Sequence, residues 1–291
     1  MICTLCPRRC GAQRTETAGA GYCRQPSLPV LAQAGLHMWE EPPISGTRGA
    51  GTVFFSGCSL GCVFCQNQPI SQGDFGKAIS VARLAEIFRE LERQGAHNID
   101  LVSPTHFAHI LPRAIEQSGV SIPFVWNSGG YDTVETVRAM APYIRVWLPD
   151  LKYLSPDRAG RYSDAPDYPG AATAAIREMY AAAGPCVVED GLLKRGVLIR
   201  HLLLPGGLGE AKVVMDWVAR TFPDRDVLFS LMGQYLPLGR AGDFPEIDRP
   251  LRPSELKNAA AYMEALGLKG FTQEAASASE TYIPAFDLTG V

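Results

Sequence analysis

Three cysteines in one short loop carry the strongest chemical signal in the chain. The run Phe54-Phe55-Ser56-Gly57-Cys58-Ser59-Leu60-Gly61-Cys62-Val63-Phe64-Cys65-Gln66-Asn67 spaces them C-x3-C-x2-C, directly after a strand-like stretch. Thiolates are the usual protein ligands of iron–sulfur clusters, and three on a tight loop can take three corners of a [4Fe–4S] cubane. The fourth iron then stays open to a chelator from outside. A structural zinc site asks instead for four closed ligands, and no fourth cysteine lies close behind Cys65. Zinc, or three inert core thiols, are the competing readings.

A second set, Cys3-x2-Cys6-Pro7-Arg8-Arg9-Cys10-x12-Cys23, offers four thiols. Four soft ligands make a closed site, for zinc or for a second, fully ligated iron–sulfur cluster. Gly19, Gly21 and the prolines help a short segment wrap such a metal. Electron relay is the natural role if iron–sulfur is bound there, and a structural staple is the alternative. Cys186 stands alone beside Val187 and Val188 and reads as a buried small hydrophobe.

Seven of the eight cysteines fall in the first 65 residues. The opening residues show no apolar signal-peptide stretch, and no uninterrupted run of about 18 apolar residues follows. A cytoplasmic location is therefore expected, where thiols stay reduced and serve as ligands rather than disulfides. A net charge of −3 argues against a nucleic-acid or polybasic membrane role.

These loops need elements to hold them. Strand-like runs at 53–55, 99–103, 124–127, 146–148, 197–203 and 227–231 alternate with helix-period segments. In the first of these segments Val81, Leu84, Ile87, Phe88 and Leu91 share one face behind Ser80 as N-cap. Further helices are expected over 106–117, 133–140, 171–183, 211–221 and 254–266. This alternation predicts parallel βαβ units, six of which suit an α/β, partial (β/α)6 TIM-like barrel; a doubly wound open sheet is the rival. In both, ligands gather at the carboxyl ends of the strands. Residues 1–48 are cysteine-rich and poorly periodic and are expected as a loop-built segment packed on the barrel of residues 49–291. Residues 240–253 read as an irregular connection.

Phe54-Phe55-x-Gly57-Cys58-x3-Cys62-x-Phe64-Cys65-x-Asn67 resembles the signature of the radical S-adenosylmethionine (SAM) superfamily, and more narrowly that of pyruvate formate-lyase activating enzymes and their homologues. The resemblance implies that SAM chelates the open iron. A reduced cluster then cleaves SAM to methionine and a 5′-deoxyadenosyl radical, which abstracts hydrogen from a substrate. It implies a place beside the adenine for Phe64. Asn127-Ser128-Gly129-Gly130-Tyr131, Asp150-Leu151-Lys152 and Arg200-His201-Leu202-Leu203-Leu204-Pro205-Gly206 resemble SAM-contact segments of that branch. Asn127, Ser128, Asp150, Lys152, Arg200 and His201 are thus candidate SAM contacts, with an ordinary ion pair or a satisfied histidine as the bland alternatives. The superfamily's Gly-Gly-Glu turn is replaced by Ser103-Pro104-Thr105-His106, where backbone carbonyls or the Thr105 hydroxyl are expected to serve the SAM amino group.

The narrower resemblance implies a glycine of a partner glycyl radical enzyme as substrate and a flavodoxin or ferredoxin as reductant. Radical modification of another peptide or of a small metabolite is the alternative enzyme. An iron–sulfur electron-transfer or metal-storage protein without catalysis is the non-enzymatic one. Glu40 and Glu41 are expected on a solvated face, His106 and His109 on a helix surface, and Tyr235 either lining the barrel opening or capping its rim.

Overall fold

Parallel strands covered on both faces read as nearly continuous apolar runs, and the chain supplies such runs between its helices. The computed structural model describes residues 2–273 and 284–291. Its strands are β1 (Val30–His37), β2 (Ala50–Phe55), β3 (Lys77–Ala78), β4 (Ile99–Val102), β5 (Phe124–Ser128), β6 (Ile144–Pro149), β7 (Val187–Glu189), β8 (Leu192–Leu202), β9 (Leu228–Met232) and β10 (Gly270–Gln273). All residues of β2, β4 and β5 are buried. In space the order is β10-β9-β8-β6-β5-β4-β2-β1-β3, with β7 hairpinned onto β8. The strands from β2 to β10 along that order run parallel; β1 is antiparallel to β2, and β3 to β1.

The sheet is rolled. Glu41, four residues past β1, accepts hydrogen bonds from Ser230 on β9 and Gln273 on β10, at the far end of the strand order. This is the partial barrel expected from the alternation, extended by β10 as a seventh parallel strand that the short sequence Gly-Phe-Thr-Gln did not announce. Inside lie Ile44, Ala50, Val125, Val146, Leu148, Leu193 and Leu198. Outside, helices cover the sheet with the larger apolar cluster.

Helix Val81–Arg93 shows why the pattern works: Leu84, Ala85, Ile87, Phe88 and Leu91 are buried, and Ser80 caps it by accepting from the Arg83 amide at 3.1 Å. Burying each large side chain contributes roughly 1.5–3 kcal/mol. The other expected helices appear as Val134–Met140, Tyr168–Ala183, Leu208–Thr221 and Pro253–Ala265. The helix expected over 106–117 is broken. A 3-10 turn, Thr105–Phe107, precedes helix Leu111–Ser118, which starts with Pro112 in its first turn, where a missing N–H costs nothing.

Residues 1–48 are not loop throughout. Val30–His37 is a strand of the main sheet, paired with β2 from Leu31↔Phe55 to His37↔Ala50 with one register shift between Leu31 and Gln33. Its Ala, Gln and Gly residues hide the strand from a propensity reading, but the partner's exposed edge recruits it. Among the described residues no helix is long and apolar enough to cross a membrane.

Candidate active site at the carboxyl ends of the strands

The Cys58–Cys65 loop leaves β2 at the carboxyl end of the parallel sheet. Gly57, with φ +81°, makes the turn, and a Cβ there would stand 2.9 Å from the Cys23 carbonyl oxygen. The loop is pinned by its backbone. Gly61 N–H donates to the Ser163 carbonyl at 3.2 Å, Val63 N–H to that of Tyr162 at 2.9 Å, and Arg240 N–H to that of Val63 at 2.7 Å. Cys62 Sγ lies 3.0 Å from Ser163 Oγ, and Cys65 Sγ 3.2 Å from Ser71 Oγ. Burial pushes the Cys58 thiol up to about 12, with Cys62 and Cys65 adding to the rise. Burial raises the Cys65 thiol as well, and crowded thiols of this kind suit soft metal ions, which displace the protons. The donor set fits a [4Fe–4S] cluster held by three cysteines.

Beside the loop a small cleft is lined by Cys58, Ser59, Leu60, Ser103, Thr105, His106, Gly129 and Tyr131. Ser103 sits at φ +57°, a strained conformation for a serine. Thr105 Oγ1 donates to Asp132 Oδ1 at 2.6 Å and Ser128 Oγ to Asp132 Oδ2 at 2.5 Å. The Trp126 indole N–H also reaches Asp132 Oδ1, at 3.3 Å. Both hydroxyls are therefore committed to a buried aspartate the sequence reading missed. Its only sequence signal is a carboxyl just past the Gly129-Gly130-Tyr131 turn. That turn needs its glycine: Gly130 has φ +75°, and a Cβ would lie 2.0 Å from the Asp150 carbonyl oxygen.

Deeper in the barrel a charged network closes. Lys152 Nζ donates to Asp150 Oδ2 at 2.5 Å, and Arg200 Nε to Asp150 Oδ1 at 2.9 Å. Arg200 Nη2 donates to Asn127 Oδ1 at 2.7 Å, and Nη1 to Glu40 Oε1 at 2.9 Å. Asn127 Nδ2 in turn donates to Glu40 Oε2 at 3.1 Å and Asp100 Oδ2 at 3.2 Å. Burial works against the Asp150 charge, but Arg200 and Lys152 hold its carboxyl below the usual range. For Lys152 burial opposes the charge too, and Asp150 more than offsets it.

The structure thus brings Asn127, Asp150, Lys152 and Arg200 together, with Ser128 and Thr105 nearby on Asp132. It does not bring His201 there. Strand side chains alternate between faces, so His201 points opposite to Arg200. It is buried, and its Nδ1 lies 2.7 Å from the Leu151 carbonyl oxygen. Phe64, within the loop, is buried with its ring edge-on to Tyr235, centroids 5.9 Å apart. Tyr235 is packed into the rim, its hydroxyl donating to the Ile247 carbonyl.

Two expectations are overturned. Glu40 and Glu41 are not on a solvated face; Glu41 is 1% exposed, and both turn into the barrel. His106 is not a helix-surface residue either. It is buried, with Nε2 2.7 Å from the Ser56 carbonyl oxygen, and burial pushes its pKa down to about 3. His109 is half-buried against the Ser27 carbonyl, at 3.1 Å. Cys186 is half-buried beside Val197, whose carbonyl its thiol approaches at 3.3 Å.

The amino-terminal cysteines sit over the cluster loop. Arg8 Nε donates to the Ser59 carbonyl at 2.9 Å, its guanidinium lies 3.8 Å from the Tyr22 ring centroid, and Tyr22 donates to Asp164 at 2.9 Å. Thr136 Oγ1 donates to the Leu5 carbonyl at 2.6 Å. Cys3 and Cys6 are buried and Cys10 is exposed. Burial pushes the Cys6 thiol up to about 12, with Cys23, Cys3 and Cys10 each adding to it, so the four thiols lie within electrostatic reach of one another. Among the described residues no three His, Cys, Asp or Glu side chains are gathered at single-ion distance.

The fold is a partial barrel that carries three cysteines on one loop at the carboxyl ends of its strands. Residues 45–140 match the family described as a 4Fe-4S single cluster domain. The chain is 29% identical over 278 residues to an uncharacterized protein of Methanocaldococcus jannaschii, covering 91% of this chain and 75% of that protein. Among solved structures it is similar to Streptococcus suis SuiB bound to S-adenosylmethionine, at a TM-score of 0.51 and 15% identity, over 75% of this chain. It spans only 45% of the length of SuiB. It is also similar to a radical SAM methyltransferase from Sphaerobacter thermophilus, at a TM-score of 0.48 and 17% identity, over 77% of this chain and 66% of that one.

Proposed function

We propose that this protein is a radical SAM enzyme that reductively cleaves S-adenosylmethionine and uses the resulting 5′-deoxyadenosyl radical to abstract hydrogen from a substrate. The observation that carries the reading is the juxtaposition of a buried three-thiol loop with a cleft and a charged network at the carboxyl ends of the strands. Cys58, Cys62 and Cys65 hold the cluster, which when bound supplies the electron that breaks the sulfonium C–S bond. The rest is done by this chain's side chains. Lys152 offers an ammonium to a carboxylate, fixed in place by Asp150. Asn127 and Arg200 present donors and acceptors for ribose hydroxyls, Thr105 faces the cleft while Ser128 holds Asp132 behind it, and Phe64 closes the apolar side. His201 drops out of this set because of its strand parity.

The finer reading follows the motif. The substrate is a glycine of a partner glycyl radical enzyme, the reductant is a flavodoxin or ferredoxin, and the setting is the cytoplasm. Cys3, Cys6, Cys10 and Cys23 hold a second metal, zinc or iron–sulfur, against the cluster loop. One observation favours the second reading, modification of another peptide or a small metabolite. The barrel interior carries buried carboxyls at Asp100 and Glu41 beyond those that Arg200 and Lys152 pair, which suits a charged substrate better than a bare glycine loop.

The test is anaerobic reconstitution, reduction and incubation with SAM. Release of 5′-deoxyadenosine is the expected outcome, and none at all would favour a non-catalytic electron carrier. A glycine-centred radical doublet on a co-incubated partner supports the activase. A modified peptide or metabolite without such a doublet supports the second reading.

A further inference from the structure

We propose that the Glu40–Asp100 carboxyl pair on the floor of the barrel docks a cationic group of the substrate, a primary ammonium or a guanidinium. This rests on the radical SAM reading and deepens it by naming the substrate's chemical class.

The charges on the inner face do not balance. Asp150 has both Lys152 and Arg200 as ion-pair partners and Glu40 has Arg200. Asp100 and Glu41 have hydrogen bonds from Asn127, Ser230 and Gln273, but no ion pair among the described residues. Asp100 is fully buried, and its Oδ1 has no hydrogen-bond donor. Beside it across the β2–β4 register stands Thr52, also buried, whose Oγ1 lacks a partner too. The group that faces Asp100 is another carboxyl, Glu40; burial first and that neighbour second raise the Asp100 pKa well above the usual range.

Two carboxyls set against each other keep a proton between them. That proton satisfies the empty site, but a cation satisfies it better. An ammonium brings three donors, a guanidinium five, and the floor offers Asp100 Oδ1, Glu40 and Thr52 Oγ1 to receive them with charge assistance. Glu40, Arg200, Asp150 and Lys152 keep 12–16% of their side-chain surface accessible, which leaves an approach.

The site lies beneath the proposed ribose contacts, since Asn127 Nδ2 reaches both Glu40 and Asp100, and away from the cluster end. Asp100 lies three residues before Ser103 of the cleft, roughly 10 Å down the strand at about 3.3 Å per residue. The ammonium of SAM belongs at the cluster end, beside Ser103 and Thr105. A substrate anchored by its cation at Asp100 would extend from the floor toward the carboxyl ends of the strands, where the cluster loop lies.

The charged groups facing the pair are Arg200 on β8, Asp150 on β6, and His37 and Glu41 on the segment that carries Glu40. Asp100 and Glu41, both raised by burial, are the groups that hold a proton an arriving cation would expel.

The experiment is calorimetric titration of the reconstituted full chain, with SAM present, using n-pentylammonium as probe and 1-pentanol as the neutral control. The amine should bind at least about tenfold more tightly than the alcohol. Its heat in buffers of different ionisation enthalpy should show proton release at about pH 7, and binding should tighten from about pH 6 to about pH 8 as the proton leaves more easily. Asp100→Asn and Glu40→Gln should each weaken the amine by about tenfold or more. Equal binding of amine and alcohol, amine binding without proton release, or full affinity in Asp100→Asn would each overturn the proposal. The proton count on the unsubstituted chain decides the matter even where a variant fails to fold. SAM cleavage in the same sample is read separately, so losing it would sink the enzyme reading and leave this one to the amine.

Discussion

The barrel and the amino-terminal 48 residues are built on different principles. The barrel holds itself by apolar burial, with helices packed on continuous buried strands, and it delivers Cys58, Cys62 and Cys65 on a loop pinned by the Ser163, Tyr162 and Arg240 backbones. Before β1, the amino-terminal segment has only isolated bridges, Ile2↔Gln13 and Arg14↔Gly19. It is joined to the barrel through β1, which pairs with β2, and by directional polar contacts on either side: Arg8 and Tyr22 above the cluster loop, Glu40 and Glu41 within the barrel. The first region can position metal ligands before any metal arrives. The second, with little core of its own, depends on its ligands for shape.

The largest expected effect lies in the barrel's loop. Cys62→Ala should reduce 5′-deoxyadenosine release to background and remove the loop's cluster from the visible spectrum, while the circular dichroism and Tm of the barrel stay near those of the parent. If the variant still cleaved SAM, the assignment of this loop would be wrong. The contrast predicts the opposite pattern for the second thiol set. In the Cys6→Ala/Cys23→Ala variant the proposed second metal should be lost, and with it a binding energy on the order of 10 kcal/mol that would order the segment. Limited proteolysis should then cut within residues 2–28 while the barrel survives. Metal analysis of a chain lacking Cys58, Cys62 and Cys65 distinguishes iron from zinc at that site. A segment that remains protected without its thiols would erase the distinction drawn between the two regions.

Arg200 tests the join between them. Its guanidinium bridges Asp150 of the barrel and Glu40 of the amino-terminal segment. Arg200→Met would leave Glu40 without its cation and Asp150 with Lys152 alone, and removing one member of a buried pair costs about 3–5 kcal/mol. Chemical denaturation should show that loss. A Glu40→Gln background should relieve part of it, because the stranded charge is then gone. An unchanged midpoint would show the segment is held by other contacts.

These particulars show what was legible beforehand. The C-x3-C-x2-C loop could be read because its chemistry is local, three ligands within eight residues. The β/α alternation was legible for a similar reason, since each helix and strand announces its buried face by period. What escaped was set by distant partners. β1 is a strand because β2 offers it an edge. Glu40 and Glu41 look like a solvated pair until Arg200, Ser230 and Gln273, far along the chain, meet them. Asp100 inside Ile99-Asp100-Leu101-Val102 was a missed signal, since a charge in the middle of a buried strand needs an explanation. His201 was an avoidable error: if Arg200 points inward, its neighbour on the strand must point out.

The smallest effect concerns how firmly the amino-terminal segment is seated within the barrel. Burial pushes the Glu41 carboxyl up to about 7, Arg200 pulling it down and Glu40 pushing it further up. An acid whose folded pKa is raised binds its proton more tightly folded than unfolded, so stability falls as pH climbs from the unfolded value, about 4.3, through about 7. Glu41→Gln removes that titration and keeps an oxygen to accept from Ser230 and Gln273. The difference between variant and parent should therefore favour the variant increasingly across this window, by on the order of 1–3 kcal/mol at its upper end. Asp100, Asp150 and the other titrating groups remain in both proteins, so their contributions cancel in the difference to a first approximation. Denaturation midpoints at several pH values measure it. A flat difference would mean that Glu41 is already ionised in the folded chain, seated less deeply than its contacts with β9 and β10 imply.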